Sequence, residues 1–342
     1  MRMLLLSTLV CILGCSEPEA EIADPANAVY YWRHELQLST EEQAWMERND
    51  VSKLYLHLFD VVRQNGQLMP RTTLTVTDLP PRGVKVIPVV FLAHDIMRDT
   101  TGLSALPRLI ASRAKDMMEQ NQLGTFDELQ VDFDWAQSNQ QRYFALLGSI
   151  REVLPAHRLS ATIRLHQLLL PVPPVDYGAL MVYNLGRIQD PDEPCSILTM
   201  EQLRPYLPHL RGYKLPLCTA LPVYSWYLLF HQNEFRCILR GVSLTDSIEG
   251  QPAFSMVSPC HYQAQRYQPI PPSGVAMNGS GRIFPGDIVR HEAVPATVLR
   301  EVRQAIEQMR PSACRQIILY HLDDKQLKQY SDADIQSFYT GH

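Results

Sequence analysis

No block of consecutive basic residues occurs in this 342-residue chain, and its formal net charge is −5. The electrostatic footprint of a nucleic-acid-binding surface is therefore missing. No apolar run reaches the roughly 20 residues that a membrane-spanning helix needs. The seven cysteines show neither a Cys-x-x-Cys pair nor a Cys/His spacing suited to structural zinc. Glycine is scarce, 16 residues against 25 prolines, which favours many ordered element ends over flexible linkers. No internal repeat of about 20–50 residues is visible, which sets solenoids and propellers aside. What is there is ordinary for a globular protein: 46% hydrophobic and 20% charged residues, a balance that excludes disordered and collagen-like chains. The length suits one large domain or two of half that size.

The first residues follow a targeting pattern. Arg2 precedes an apolar stretch, Met3 to Leu13, too short to span a bilayer. It ends in Ile12-Leu13-Gly14-Cys15, which resembles the bacterial lipobox. That resemblance implies removal of residues 1–14, lipidation of Cys15, and acyl chains as the membrane attachment. The alternative is a plain secretory signal. Residues 15–26 form an acidic tether, and Ser16-Glu17-Pro18-Glu19-Ala20-Glu21 is similar to the export signal of Bacteroidetes surface lipoproteins. The expectation is a bacterial outer-membrane lipoprotein exposed on the outer face; a solvated spacer is the alternative. Cys195, Cys218, Cys237, Cys260 and Cys314 remain, an odd set that leaves at least one thiol free unless a partner supplies another.

Residues 27–342 read as one domain. Apolar, β-branched runs recur at Ala28–Trp32, Leu54–Val61, Val84–Leu92, Leu129–Trp135, Leu159–Ile163, Ala179–Tyr183, Leu215–Tyr224 and Gln316–Leu322. Several are continuous rather than alternating, as parallel strands buried on both faces require. Helix signals fall between several of them. Ser39-Thr40-Glu41-Glu42 is a capping box, Pro107 suits a first helical turn, and Asn139–Leu154 places Tyr143, Leu146, Leu147, Ile150 and Val153 at helical spacing. Val298–Met309 repeats the period before the last strand. Strand–helix order over eight strands predicts a (β/α)8 TIM barrel. An open doubly wound sheet is disfavoured because Trp32-Arg33-His34-Glu35 stands where a glycine-rich phosphate loop would follow the first strand. Residues 226–294, between strand 7 and its helix, exceed any usual βα loop and read as an insertion on the same face as the active site.

In such a barrel, function lies at the carboxyl ends of the strands. Strand 4 reads Phe126-Asp127-Glu128-Leu129-Gln130-Val131-Asp132-Phe133-Asp134-Trp135. At period 2, Gln130, Asp132 and Asp134 share the inward face. Two acids so spaced lie within about 7 Å, close enough to divide one proton between them. That division serves glycoside hydrolysis, which needs an acid for the leaving oxygen and a carboxylate to face positive charge. The alternatives are a solvated strand end, or acids salt-bridged to Arg33 or Arg164. Trp32, Trp135, Tyr224 and Trp226 lie at or past strand ends and suit stacking on sugar faces, or ordinary core capping. His57 reads as a satisfied interior histidine. Asp323 reads as a helix cap, and Asp287 as a turn residue with a second acid as its alternative.

Asp127-x-x-Gln130-x-Asp132-x-Asp134 is similar to the strand-4 signature of family 18 glycoside hydrolases, Asp-x-x-Asp-x-Asp-x-Glu. Leu159-Ser160-Ala161-Thr162, Met181-Val182-Tyr183-Asn184 and Leu221-Pro222-Val223-Tyr224-Ser225-Trp226 resemble that family's strands 5, 6 and 7, in the right order. The resemblance implies a mechanism in which the substrate's acetamido oxygen attacks. It makes Asp134 the acid, Asp132 the group that orients the acetamido, and Tyr183 a hydrogen-bond donor to the intermediate. Asp134 replaces the family's glutamate, Gln130 an aspartate, and Asn184 the aspartate that helps hold the N-acetyl group. Gln130, Arg164 and Asn184 join Trp32, Arg33, Trp135, Tyr224 and Trp226 as candidate substrate-binding residues.

Two functional expectations follow: a cell-envelope lipoprotein that hydrolyses a glycosidic bond, or a glycan-binding lipoprotein on a barrel that no longer turns over. The expected partners are a glycan and, through Cys15, the membrane. No organic cofactor is called for, and no metal, since no histidine pair lies near the acids at ligand spacing.

Overall fold

The computed structural model describes residues 22, 24–71, 73–239, 244, 247, 248, 251–270 and 282–342. The leader, Cys15 and most of the acidic tether lie outside the described residues.

Seven strands of the barrel precede the insertion: β1 (Asn27–Tyr31), β2 (Val51–Gln64), β3 (Lys85–Leu92), β4 (Glu128–Asp132), β5 (Arg158–Arg164), β6 (Tyr177–Met181) and β7 (Leu217–Pro222). The insertion contributes β8 (Ser225–His231), β9 (Glu234–Leu239), β10 (Phe254–Ser258), β11 (His261–Ala264) and β12 (Ile288–Ala293), and β13 (Ile317–Tyr320) returns to the main sheet. Strands β1 to β7 and β13 pair in parallel, each with the next. The ring closes because β1 pairs with both β13 and β2. This is a closed (β/α)8 barrel.

The helices α1 (Thr40–Arg48), α2 (Leu106–Gln120), α3 (Gln140–Val153), α4 (Met200–Leu203), α5 (Leu207–Leu210), α6 (Ala296–Met309), α7 (Asp324–Leu327) and α8 (Asp332–Thr340) cover its outside. The Ser39 capping box is present in both directions at α1, worth about 1 kcal/mol. Asp323 accepts from the first turn of α7, the cap read from the sequence. Two positions depart from strict alternation. After β2 the chain turns at Asn65 and Gly66, both at positive φ, into an antiparallel strand Gln67–Arg71. After β5 comes a 3-10 turn, Leu165–Leu169.

The barrel interior is polar. Tyr30 on β1 donates to Gln130 on β4 at 2.7 Å, and the Tyr55 and Tyr177 hydroxyls on β2 and β6 meet at 2.5 Å. These strands are not neighbours, so the bonds cross the barrel. Glu128, fully buried, accepts from Ser160 at 2.8 Å and from Tyr177. Gln316 donates to Tyr55 at 2.9 Å and accepts from Lys53 at 3.1 Å. Most buried polar groups in proteins are paired in this way.

The insertion folds as a five-stranded antiparallel sheet in the order β9-β8-β12-β11-β10. It has its own small core of Leu229, Cys237, Leu239, Phe254, Ile283 and Val289. Cys195, Cys218, Cys237, Cys260 and Cys314 are all free thiols.

Candidate active site at the carboxyl ends of the strands

Strand β4 stops at Asp132, short of the Trp135 boundary expected from the sequence. The two acids of that strand therefore sit in different surroundings. Asp132 is 3% exposed; its Oδ1 accepts from the Thr162 hydroxyl at 2.5 Å and lies 3.6 Å from Nη2 of Arg164. Asp134, two residues past Asp132, has a side chain 56% exposed and stands 3.7 Å from Nε2 of His166. Both alternatives of the sequence reading are thus realised in part: one acid is paired with Arg164, the other is solvated.

Asp134, Arg164, His166, Tyr183, Asn184 and Tyr206 line a pocket of about 250 Å³ over the ends of β4, β5 and β6. Burial acts most strongly on the Arg164 guanidinium and pulls it down, but Asp132, then Tyr183 and Asp134, hold it above its ordinary range. It stays a cation. Tyr183 is 3% exposed, and its ring stacks on Tyr320 at 5.0 Å between centroids. Its hydroxyl is buried with no hydrogen-bond partner among the described residues. Burial pushes that phenol well above its usual range, so it is a neutral donor. Asn184 takes a left-handed conformation, φ 57°, which asparagine tolerates better than most residues. Its Oδ1 accepts from Tyr224 at 2.6 Å.

The aromatic residues separate into three groups. Tyr224 and Trp226 stand edge to face at 5.4 Å beside the pocket, Tyr224 almost wholly buried and Trp226 half-buried. Trp32, also half-buried, stacks on His57 at 4.6 Å and lies 6.0 Å from Tyr320, on the β1 side of the barrel mouth. His57 in turn meets Asp60 at 2.8 Å, as befits a satisfied interior histidine. Trp135 is fully buried against Tyr143 and Phe144 of α3 and has no ring face to offer a sugar. Trp135 has the parity of Leu129, Val131 and Phe133, opposite to that of Gln130, Asp132 and Asp134, and so it faces the helix layer.

Two further expected residues are placed elsewhere. Arg33 pairs with the buried Glu42 and lies over the Tyr31 ring, away from the strand-4 acids. Gln130 is buried inside the barrel, where it is held by Tyr30 and Ser160, and does not line the pocket. Asp287 accepts from the Phe284 backbone at 2.8 Å and meets His231 at 2.6 Å, which makes it the turn residue that the sequence favoured. Sequence reasoning missed Tyr320, Tyr206, Thr162 and Glu292. Tyr320 ends β13 and was open to the same strand-end rule that selected Trp32. The rest are brought in by contacts that no local pattern records.

No family model and no curated protein sequence matches the chain. Its structure is similar to that of the spore cortex-lytic enzyme SleL of Bacillus cereus, with a TM-score of 0.51 and 12% identity over 92% of this chain and 74% of that one. It is also similar to a chitinase from Bacteroides thetaiotaomicron, with a TM-score of 0.50 and 11% identity over 93% and 97% of the two chains. At such identities the likeness is one of fold alone, and the fold is the (β/α)8 barrel expected from the sequence.

Proposed function

We propose that this protein cleaves a glycosidic bond in an N-acetylated glycan, at the pocket between β4, β5 and β6. The observation that carries the reading is the pairing, on one pocket, of the open carboxyl of Asp134 with the buried hydroxyl of Tyr183, unpartnered among the described residues. A buried donor left without a partner costs about 1–3 kcal/mol, a cost recovered when a ligand oxygen takes the bond. In the proposed reaction Asp134 gives its proton to the leaving glycosidic oxygen as the C1–O bond breaks. The acetamido oxygen of the same sugar attacks C1 and closes a ring, and Tyr183 donates a hydrogen bond to that intermediate. Water then opens the ring and returns a proton to Asp134. Asp132, fixed by Thr162 and Arg164, supplies a negative charge beside the positive charge that develops.

A second reading, glycan binding without turnover, is favoured by the Asp132–Arg164 ion pair and by the exposure of Asp134. One experiment separates the two: product release from a panel of N-acetylated and neutral oligosaccharides by the protein and its Asp134→Asn variant. Turnover lost in the variant supports hydrolysis. Binding without turnover in both supports the second reading, and turnover unchanged in the variant removes Asp134 from the role.

The setting we propose is a bacterial outer-membrane lipoprotein anchored through Cys15 and exposed on the outer face, supported by the Leu13-Gly14-Cys15 pattern and the acidic tether. Loss of membrane association in Cys15→Ser, with secretion retained, is the expected result.

A further inference from the structure

Strand β12 of the insertion carries Arg290 and Glu292 two residues apart, on the face opposite Val289 and the small core. Their side chains are 0% and 1% exposed. Burying two charges is costly, and an apolar pair would cover a sheet face at less expense, so the bonds they make are informative. Oε2 of Glu292 accepts from the Ser196 backbone N–H at 2.9 Å, the Ser196 hydroxyl at 2.7 Å and Nε1 of Trp226 at 2.8 Å. Nη1 of Arg290 donates to the carbonyls of Asp190 and Pro191 at 2.6 and 3.1 Å. Its Nε lies 2.8 Å from Oε1 of Glu292, a charge contact not aligned as a hydrogen bond.

The segment so held, residues 185–199, begins with Leu185 at the pocket wall. It is tied at its base by Leu185 N to Ile197 O and Gly186 N to Ser196 O. A Cβ on Gly186 would lie 2.9 Å from the Ser196 backbone, so this base admits little slack. Trp226 stands one ring beyond Tyr224, which is itself bonded to the pocket residue Asn184. One carboxylate oxygen therefore holds both the loop that begins at the pocket wall and the indole next to Tyr224.

We infer that Glu292 is a positioning residue, which holds Trp226 and the 185–199 wall as a second sugar subsite at the seam between barrel and insertion. The inference rests on the glycan reading of the pocket and narrows it to oligosaccharides long enough to run from the pocket across Trp226.

The test uses Glu292→Ala, Glu292→Gln and Trp226→Phe in the full chain. Two readouts need no sugar: hydrogen exchange across 185–199, and acrylamide quenching of Trp226 emission, isolated by difference against Trp226→Phe. A third is affinity for N-acetylated oligosaccharides of increasing length. Glu292→Ala is expected to speed exchange at Ser196 and open Trp226 to quencher. It is also expected to weaken binding of a tetrasaccharide by about tenfold, the worth of one charge-assisted hydrogen bond, and to leave a disaccharide unaffected. Glu292→Gln keeps an acceptor oxygen and is expected to recover most of the loss. Wild-type exchange and quenching in Glu292→Ala would overturn the inference, as would an opened clamp with unchanged length dependence. If Glu292→Ala does not fold, Trp226→Phe removes the indole N–H and part of the ring face with Glu292 left in place, and carries the same length test; affinities unchanged from wild type at every length would overturn it. A wild type that binds no sugar defeats the reading of the pocket, while exchange and quenching still decide whether Glu292 holds the wall.

Discussion

Oδ1 of Asp132 is shared by two partners on β5: the Thr162 hydroxyl donates to it at 2.5 Å, and Nη2 of Arg164 lies 3.6 Å away. Thr162 and Arg164 are two residues apart, so the alternation of one strand sets both against a single acid on its neighbour. The acid and the cation hold each other: Asp132 keeps Arg164 at the pocket wall, and Arg164 keeps Asp132 from being a lone buried charge.

Removing the cation alone should therefore cost more than removing the pair. Arg164→Met is expected to lower stability by on the order of 2 kcal/mol, less than a fully buried pair because Arg164 is partly exposed. Asp132→Asn combined with Arg164→Met should be more stable than the sum of the single losses predicts. Urea unfolding of the two single variants and the double variant measures this coupling. Strict additivity would mean that the two side chains do not act on each other.

Glu128 gives a dependence on pH. Burial pushes its carboxyl above the ordinary range, against the hydrogen bonds from Tyr177 and Ser160 and the charge of Arg158, all of which pull it down. The folded protein thus keeps this proton to a higher pH than the unfolded chain does. The associated stability is full below the unfolded carboxyl's range and is lost as pH rises through the folded value. Glu128→Gln preserves the shape and does not titrate. Its stability relative to wild type should improve as pH rises through the range above the ordinary carboxylate value. A difference that is flat across this range would mean that Glu128 ionises alike in both states.

The backbone at Asn184 can be separated from its side chain. Alanine at φ 57° should cost about 1 kcal/mol or slightly more, and glycine should recover that part. Both variants lose the acceptor for Tyr224. If Asn184 serves the pocket chiefly through Tyr224, glycan affinity falls in both alike, whatever their stabilities. Affinity that follows stability instead would assign Asn184 a backbone role only.

Much of the barrel was legible because its strands are buried on both faces and read as continuous apolar runs; each of the eight lies within a few residues of its expected place. The hairpin after β2 is legible too. Gln64-Asn65-Gly66-Gln67 is the asparagine–glycine turn that closes two-residue hairpins, and both turn residues have positive φ. The site was legible in part. Asp132, Asp134, Arg164 and Tyr183 follow from strand parity and strand ends. The strand-end rule failed at Trp135, whose parity is that of Leu129, Val131 and Phe133, the set that faces the helix layer. The Glu292 contacts with Ser196 and Trp226 span 96 and 66 residues, beyond any local pattern.

The two tryptophans at strand ends 1 and 4 offer a contrast that tests this division. Trp135 is fully buried between Tyr143 and Phe144, whereas Trp32 is half-buried with its ring stacked on His57 at the barrel mouth. Trp135→Ala leaves a cavity the surrounding helix cannot fill, and should cost about 3–5 kcal/mol of stability. Trp135→Phe should restore most of that and leave sugar binding as in wild type. Trp32→Ala removes less buried surface and should cost less stability, but it should weaken glycan binding if the cleft extends across the mouth towards β1. Thermal unfolding and oligosaccharide titration, run on the same three variants, distinguish the roles. Weakened sugar binding in a stable Trp135→Phe protein would place that ring in the site after all, and unchanged binding in Trp32→Ala would confine the cleft to the side of β4 to β8.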